Sequence, residues 1–244
     1  GAGENAVVTY SNAFKPAGGV LMVSWLGGAG EPKSLEGAGV WQQVKSGENI
    51  WVGIAAVQDY VRTKSPESLK LAKERADFLL KTTENGVIAL GPQGQKGEAA
   101  NFWNIRSVEN NTSAIHCFDM LTDVTGEVQY RQAADRIFTW LKTKYDMNEH
   151  AFVRGEVRSG MTWKTDSMDQ FSTDVVSWAP LSRILDDMYF GGSRQERLAE
   201  VEKMIATAEK WSGVKKDGRL VGFAFGRQTA LKGVISIEMS SQMA

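Results

Sequence analysis

The chain has 244 residues, with 28 lysines and arginines against 29 aspartates and glutamates, for a net charge of −1. That length can bury a substantial core in a single domain, and the near-neutral balance leaves no footprint for nucleic acid or an anionic membrane surface. The single cysteine, Cys117, excludes a disulfide framework and a paired-cysteine zinc site.

Residues 1–45 form a loop-rich N-terminal part. Gly18-Gly19, Gly27-Gly28, Gly30, Gly37 and Gly39 interrupt every periodic run, leaving one predicted helix around Val7 to Phe14 and a short predicted strand at Val20-Leu21-Met22-Val23. Nothing at the start reads as a signal peptide, and no apolar run reaches the roughly 18 residues a membrane span needs, so no membrane insertion is expected.

From Ser46 the pattern turns helical. Ile50, Ile54, Val57 and Val61 mark one face of a helix. Ser65-Pro66-Glu67 then caps a second helix, whose face is Leu69, Ala72, Ala76 and Leu79. Shifted by 61 residues, this hairpin falls on another: Glu48 on Glu109, Asn49 on Asn110, Ala72 on Ala133, Arg75 on Arg136, and Leu80-Lys81-Thr82 on Leu141-Lys142-Thr143. A third unit runs from Ser172 through Trp178, Leu181, Leu185 and Met188, kinked at Pro180, with Leu198, Val201, Ile205 and Ala208 as its second helix.

The predicted hairpins thus span about 46–84, 107–145 and 171–212, with a final helix at about 234–244, all in one domain over 1–244. A short extended segment follows each second helix, at Val87 to Leu90, Ala151 to Arg154 and Leu220 to Phe223. Units of sixty-odd residues are too long for tetratricopeptide or ankyrin repeats, at about 33 to 34, and for HEAT repeats, at about 40 to 47. They suit an all-α toroid of helical hairpins with short β excursions, in which the first helix of each hairpin lies inside.

Four Ser-x-acid triplets head successive helical stretches, and their acids Glu48, Glu109, Asp174 and Glu238 follow one another at 61, 65 and 64 residues. Equal spacing places the four carboxylates at one rim. Two readings of the triplet stay open. A serine N-cap with an acid two residues on is what any helix start prefers, because the hydroxyl caps a free amide and the carboxylate meets the positive end of the dipole. Three further copies outside the series, at Ser34, Ser65 and Ser167, favour that plain use.

The segments Ser46-Gly47-Glu48-Asn49-Ile50-Trp51, Ser107-Val108-Glu109-Asn110-Asn111 and Thr173-Asp174-Val175-Val176-Ser177-Trp178 resemble bacterial proteins of the six-hairpin glycosidase-like, (α/α)6-toroid superfamily, over roughly residues 46 to 244. The resemblance implies a carbohydrate-active protein, a glycoside hydrolase with acidic residues in a groove across the ring. Six hairpins of this length would need roughly 370 residues, so a truncated or incomplete toroid, or an open partial one, is expected. Ser11 and Ser113 stand where such sequences often carry an acid.

Glycoside hydrolysis needs two carboxyl groups, one protonated, separated by about 5–5.5 Å for retention or 6.5–9.5 Å for inversion. Neighbouring inner helices, with axes about 8–10 Å apart, fit the longer separation. Glu109 and Asp174 are the first candidates, with Glu48 and Glu238 behind them. A helix N-terminus lowers a carboxyl pKa, so Glu109 needs desolvation to serve as the acid, for which Phe102 and Trp103 are nearby.

Trp103 and Trp163, in loop-like sequence, are candidate sugar platforms, as are Trp51 and Trp178 on helical faces where core packing competes. Asn110 is a further candidate contact. Arg106 and Arg154 would grip an acidic sugar or close rim ion pairs. His116 and His150 have no partner at ligand spacing, so no metal or cofactor is expected. Two alternatives remain: a polysaccharide lyase with Tyr10, Tyr60 or His116 as base and Arg106 or Arg154 neutralising a uronate, and a non-catalytic glycan-binding or interaction scaffold. The expected partner is a carbohydrate; the compartment stays open, with a secreted or periplasmic setting favoured over a cytoplasmic one.

Overall fold

The structure, a computed structural model, describes residues 22–24, 41–95, 97–177 and 193–243. The expected helix around Val7 to Phe14, Tyr10, Ser11, Trp178 and Pro180 lie outside the described residues. Two helical hairpins come first: α1 (Ser46–Thr63) with α2 (Pro66–Lys81), and α3 (Val108–Thr125) with α4 (Val128–Lys142). They are followed by α5 (Asp174–Ser177), α6 (Arg194–Ser212), α7 (Arg227–Ala230) and α8 (Ile237–Gln242).

Local chemistry sets these boundaries. The Ser65 hydroxyl accepts the Ser68 N–H at 3.3 Å, with Pro66 in the first helical position where its missing N–H costs nothing. Ser107 caps α3 and Ser236 caps α8 in the same way. Gly126, at φ 71°, ends α3 in the left-handed conformation that glycine adopts without a steric penalty. Ser46 departs from the pattern. Lys45 is the N-cap of α1, and the Ser46 hydroxyl instead donates to the Ala89 carbonyl at 2.6 Å, tying the helix start to the returning chain.

The first helices form a row. α1 packs on α3, α3 on α5, and α5 on α8, while α2 and α4 pack chiefly on the helix before them. Position in the row explains burial: α3 hides even Asn110, Asn111, Thr112 and Ser113, whereas α2 and α4 bury a single stripe each. Ala72, Ala76, Ala133 and Ala134 keep those stripes slim, so Phe78, Leu79, Ile137 and Leu141 reach the common core. Two glycines bring α1 close to α3. A Cβ on Gly53 would lie 2.9 Å from Cys117 Sγ, and one on Gly47 would lie 3.1 Å from Asn110 Oδ1. Cys117 is fully buried there, and burial pushes its thiol up to about 12.

The second helix of the third unit keeps only part of its expected face. Ala208 is buried and Val201 packs against the core, but Leu198 and Ile205 are exposed, and α6 buries Glu200, Met204 and Thr207 as well. Glu200 is drawn inward by the Tyr145 hydroxyl and by His150, 2.8 Å away. Burial opposes its charge, but the bonds from Tyr145, His150 and Lys203 outweigh it and hold the carboxyl below its ordinary value. A hydrogen-bonded anion has displaced part of the apolar stripe that periodicity selects.

The strands are short. β1 (Met22–Ser24) pairs antiparallel with β2 (Trp41–Gln43), and β3 (Thr83–Glu84) with β4 (Val87–Ile88) through the left-handed turn Asn85-Gly86. A three-stranded sheet joins β5 (Ile105–Ser107) to two later strands. Between them in sequence lie β6 (Tyr145–Asp146) and its partner β7 (Ala151–Phe152). The sheet is completed by β8 (Gly155–Ser159) and β9 (Thr162–Thr165), in the order β5-β8-β9. Gly155 is required in that sheet, because a Cβ would run into the Arg106 carbonyl oxygen. Finally β10 (Gly213–Lys216) and β11 (Arg219–Phe223) turn at Asp217-Gly218.

Candidate functional site

Glu109, Asp174 and Glu238 stand within the first two residues of α3, α5 and α8, and the packing of those helices brings the three carboxylates into one pocket. Trp51, from the first turns of α1, Phe225, Met239 and Gln242 complete its lining, around a cavity of about 330 Å³. Glu48, 61 residues before Glu109, is not in the lining but lies close enough for its charge to act on Glu109. It is 4.0 Å from Lys45. The equal spacing of the acids in sequence thus becomes proximity in space.

The carboxylates differ in their surroundings. Glu109 accepts no hydrogen bond and forms no ion pair among the described residues, and burial followed by the charges of Asp174, Glu48 and Glu238 raises its pKa from the ordinary 4.5 to about 7. Asp174 is also raised, mainly by burial and less by Glu238, but the Ser172 hydroxyl and the Val175 N–H donate to it and favour its ionised form. Glu238 is exposed, with the Gln242 amide 3.4 Å away. Helix capping therefore accounts for part of Asp174 and none of Glu109. A carboxyl whose pKa lies near neutrality, beside one that accepts hydrogen bonds favouring its ionised form, is an arrangement able to give a proton and take another.

No family model matches the chain, and no curated protein matches it in sequence. Solved structures do match. The α-1,6-mannanase of Salegentibacter sp. HEL1_6 superposes with a TM-score of 0.53 at 14% identity, covering 82% of this chain and 61% of that one. A family 76 α-mannanase of Bacteroides thetaiotaomicron gives 0.51 at 19% identity, covering 69% and 45%. A β-1,3-1,4-glucanase of Paenibacillus sp. X4 gives 0.51 at 14% identity, covering 82% and 59%. The fold is that of the six-hairpin glycosidase-like α/α toroids. The chain spans 45% to 61% of the length of these neighbours. An inactive variant of the Salegentibacter mannanase forms a complex with α-1,6-mannotriose.

The toroid distributes the other expected site residues unevenly. Trp51 reaches the pocket, 40% exposed. Trp178 lies outside the described residues. Trp103 sits in the 3-10 turn Gly97–Asn104 and, like Phe102, is not in the pocket lining, where Trp51, Phe225 and Met239 supply the apolar wall. Asn110 is buried with its side chain against Gly47.

Trp163 is on strand β9 rather than in a loop, its ring under the guanidinium groups of Arg106, 3.7 Å from the ring centre, and Arg158, 4.6 Å from it. Arg106, on β5, is 4% exposed and bonded to Glu156 at 2.7 Å and Glu84 at 3.2 Å, which leaves it holding the sheet together rather than meeting a ligand. Arg154 pairs with Asp166 at 3.0 Å. Phe225, Met239 and Gln242 were not anticipated. Gln242 had a legible signal, since it follows Glu238 four residues on along the same helix face; Met239, one residue after Glu238, and Phe225 follow no such pattern.

Among the described residues no group of three His, Cys, Asp or Glu is placed to hold a metal ion, and no helix is long and apolar enough to cross a membrane. Among them also, no lysine or arginine lines the pocket.

Proposed function

We propose that the chain carries the acid/base site of a glycoside hydrolase acting on a poly- or oligosaccharide. Glu109 is the general acid, Asp174 the general base, and Glu238 and Glu48 sustain the negative field that keeps Glu109 protonated. The observation that carries this reading is the half-buried Glu109 carboxyl, raised to about 7 in a pocket shared with Asp174 and an aromatic wall. Glycosidases separate their two carboxyls into acid and base by environment in this way.

The neighbours' mannan and glucan substrates make neutral α-mannans and β-glucans the first to offer. A pocket lined by three carboxylates, with no cation among the described residues, supports a neutral glycan over a uronate. That counts against the lyase alternative, which needs a positive group beside the sugar acid. Inversion remains the stereochemical expectation, checked from the anomer first released. A secreted or periplasmic setting, where cell-wall mannans and β-glucans are met, is part of this reading.

The test is Glu109→Gln and Asp174→Asn, each assayed on a panel of neutral and acidic glycans. Each loss of proton transfer is expected to lower kcat by about 10²–10⁴-fold. Turnover retained in both variants ends the assignment, and glycan binding without turnover by the unmodified protein favours the scaffold reading.

A further inference from the structure

Phe225 enters the pocket from outside the row of helices, and its surroundings combine a fixed backbone with a free ring. The Thr173 N–H donates to its carbonyl at 3.0 Å. On the residue before it, the Ala224 carbonyl accepts from the Thr173 hydroxyl at 2.6 Å and the Ala224 N–H donates to Ser212 at 2.8 Å. On the residue after it, Gly226 bridges to Ser172, and a Cβ there would run into the Phe171 carbonyl oxygen. Gly226 is extended, at φ −167°, so the requirement is for space and not for an unusual conformation. These bonds tie Phe225 to the turn that presents Asp174. The residue is 53% exposed while its side chain lines the pocket.

Burying a phenylalanine is worth about 1.5–3 kcal/mol relative to leaving it exposed. Here the fold holds the backbone in place and leaves about half of that surface uncovered, beside two carboxyls with raised pKa values. Flat apolar faces with a few converging polar groups are how concave sites take ligands. A pyranose ring offers the complement: an apolar C–H face with hydroxyls around its edge.

We infer that Phe225 is a substrate-positioning residue, the platform on which a sugar ring lies so that its glycosidic bond meets Glu109 and Asp174. Trp51 reaches the same pocket from α1, the first helix of the row, whereas Phe225 comes from the turn bonded to the start of α5. The two aromatics therefore reach the pocket from different elements and mark two sugar positions beside the acids. This rests on the hydrolase reading above for its ligand.

The experiment measures oligosaccharide binding by calorimetry alongside kcat and KM, for the unmodified chain and for Phe225→Ala, Phe225→Leu and Phe225→Trp, with melting temperature as the check on folding. Loss of one aromatic contact is expected to weaken Kd and raise KM by about tenfold, with a much smaller effect on kcat. Tryptophan restores binding, whereas leucine, with bulk but no flat face, behaves as alanine does. An alanine variant that binds as tightly as the unmodified chain overturns the inference, as does full rescue by leucine. If the unmodified chain binds glycan without cleaving it and Phe225→Ala weakens that binding, the platform stands and the hydrolase reading falls. If it cleaves glycan and Phe225→Ala changes nothing, the platform alone falls; no glycan binding at all overturns both.

Discussion

Replacing Glu109 with glutamine should make the protein more stable, and only above a certain pH. A carboxyl raised from 4.5 to about 7 by folding is about 2.5 pH units more basic in the folded chain than in the unfolded one. At 1.36 kcal/mol per unit, ionising it in place opposes folding by up to about 3 kcal/mol. The sign follows from proton binding. Below pH 4.5 the group is neutral in both states, and its raised pKa contributes in full. As pH rises through 7 the folded protein must ionise it, and that contribution is lost.

Glutamine carries no such charge, so unmodified and variant chains should match near pH 4 and separate between 4.5 and 7. Above 7 the variant should be more stable, by about 5–10 °C in Tm for a chain of this size. Thermal melts of both chains from pH 4 to 9 check it. Melting curves that keep a constant separation across that range would refute the reasoning, because no pH-dependent charge would then be opposed by the pocket.

Glu238→Gln removes one of the charges acting on Glu109 while leaving the first turn of α8 capped by Ser236, so Glu109 should titrate at lower pH. The alkaline limb of the kcat/KM profile, and the step in the melting comparison above, should move down together; an unmoved limb sinks the coupling. Glu156→Ala removes the acceptor of Lys144 at 2.5 Å, Arg106 at 2.7 Å and Trp140 at 3.1 Å. Leaving those cations buried and unpaired should cost about 3–5 kcal/mol, read by urea denaturation. Burial works against the Glu156 charge, yet the Lys144 and Arg106 bonds hold its pKa below the ordinary value. Its contribution is therefore present above pH 4.5 and lost as pH falls through the folded value, so the deficit of the variant should shrink in acid.

The parts of this molecule that can be read from the sequence are those fixed by short-range repetition. α1 through α4 keep a 3.6-residue pattern, with serine caps at the starts of α2 and α3 and a proline opening α2, and Glu48 and Glu109 occupy equivalent places because the hairpins that carry them are equivalent. The β5-β8-β9 sheet has no such signal. Its β5–β8 register joins residues about fifty apart, such as Arg106 with Glu156, and its strands are only three to five residues long, with those two charged residues buried. Trp163 and Arg106 looked like loop residues for that reason. Glu200 defeats periodicity differently, since a buried anion satisfied by Tyr145 and His150 is written on two separate segments. Phe225 owes its place to pairing between residues 172 and 226, a contact with no local trace.

The close seam between α1 and α3 bears on how this site can change over time. Gly53 against Cys117 and Gly47 against Asn110 set the distance between those helices from residues that take no part in the pocket's chemistry. The carboxylates stand on a frame that does not depend on them. Replacing an acid along the row should therefore leave that seam in place.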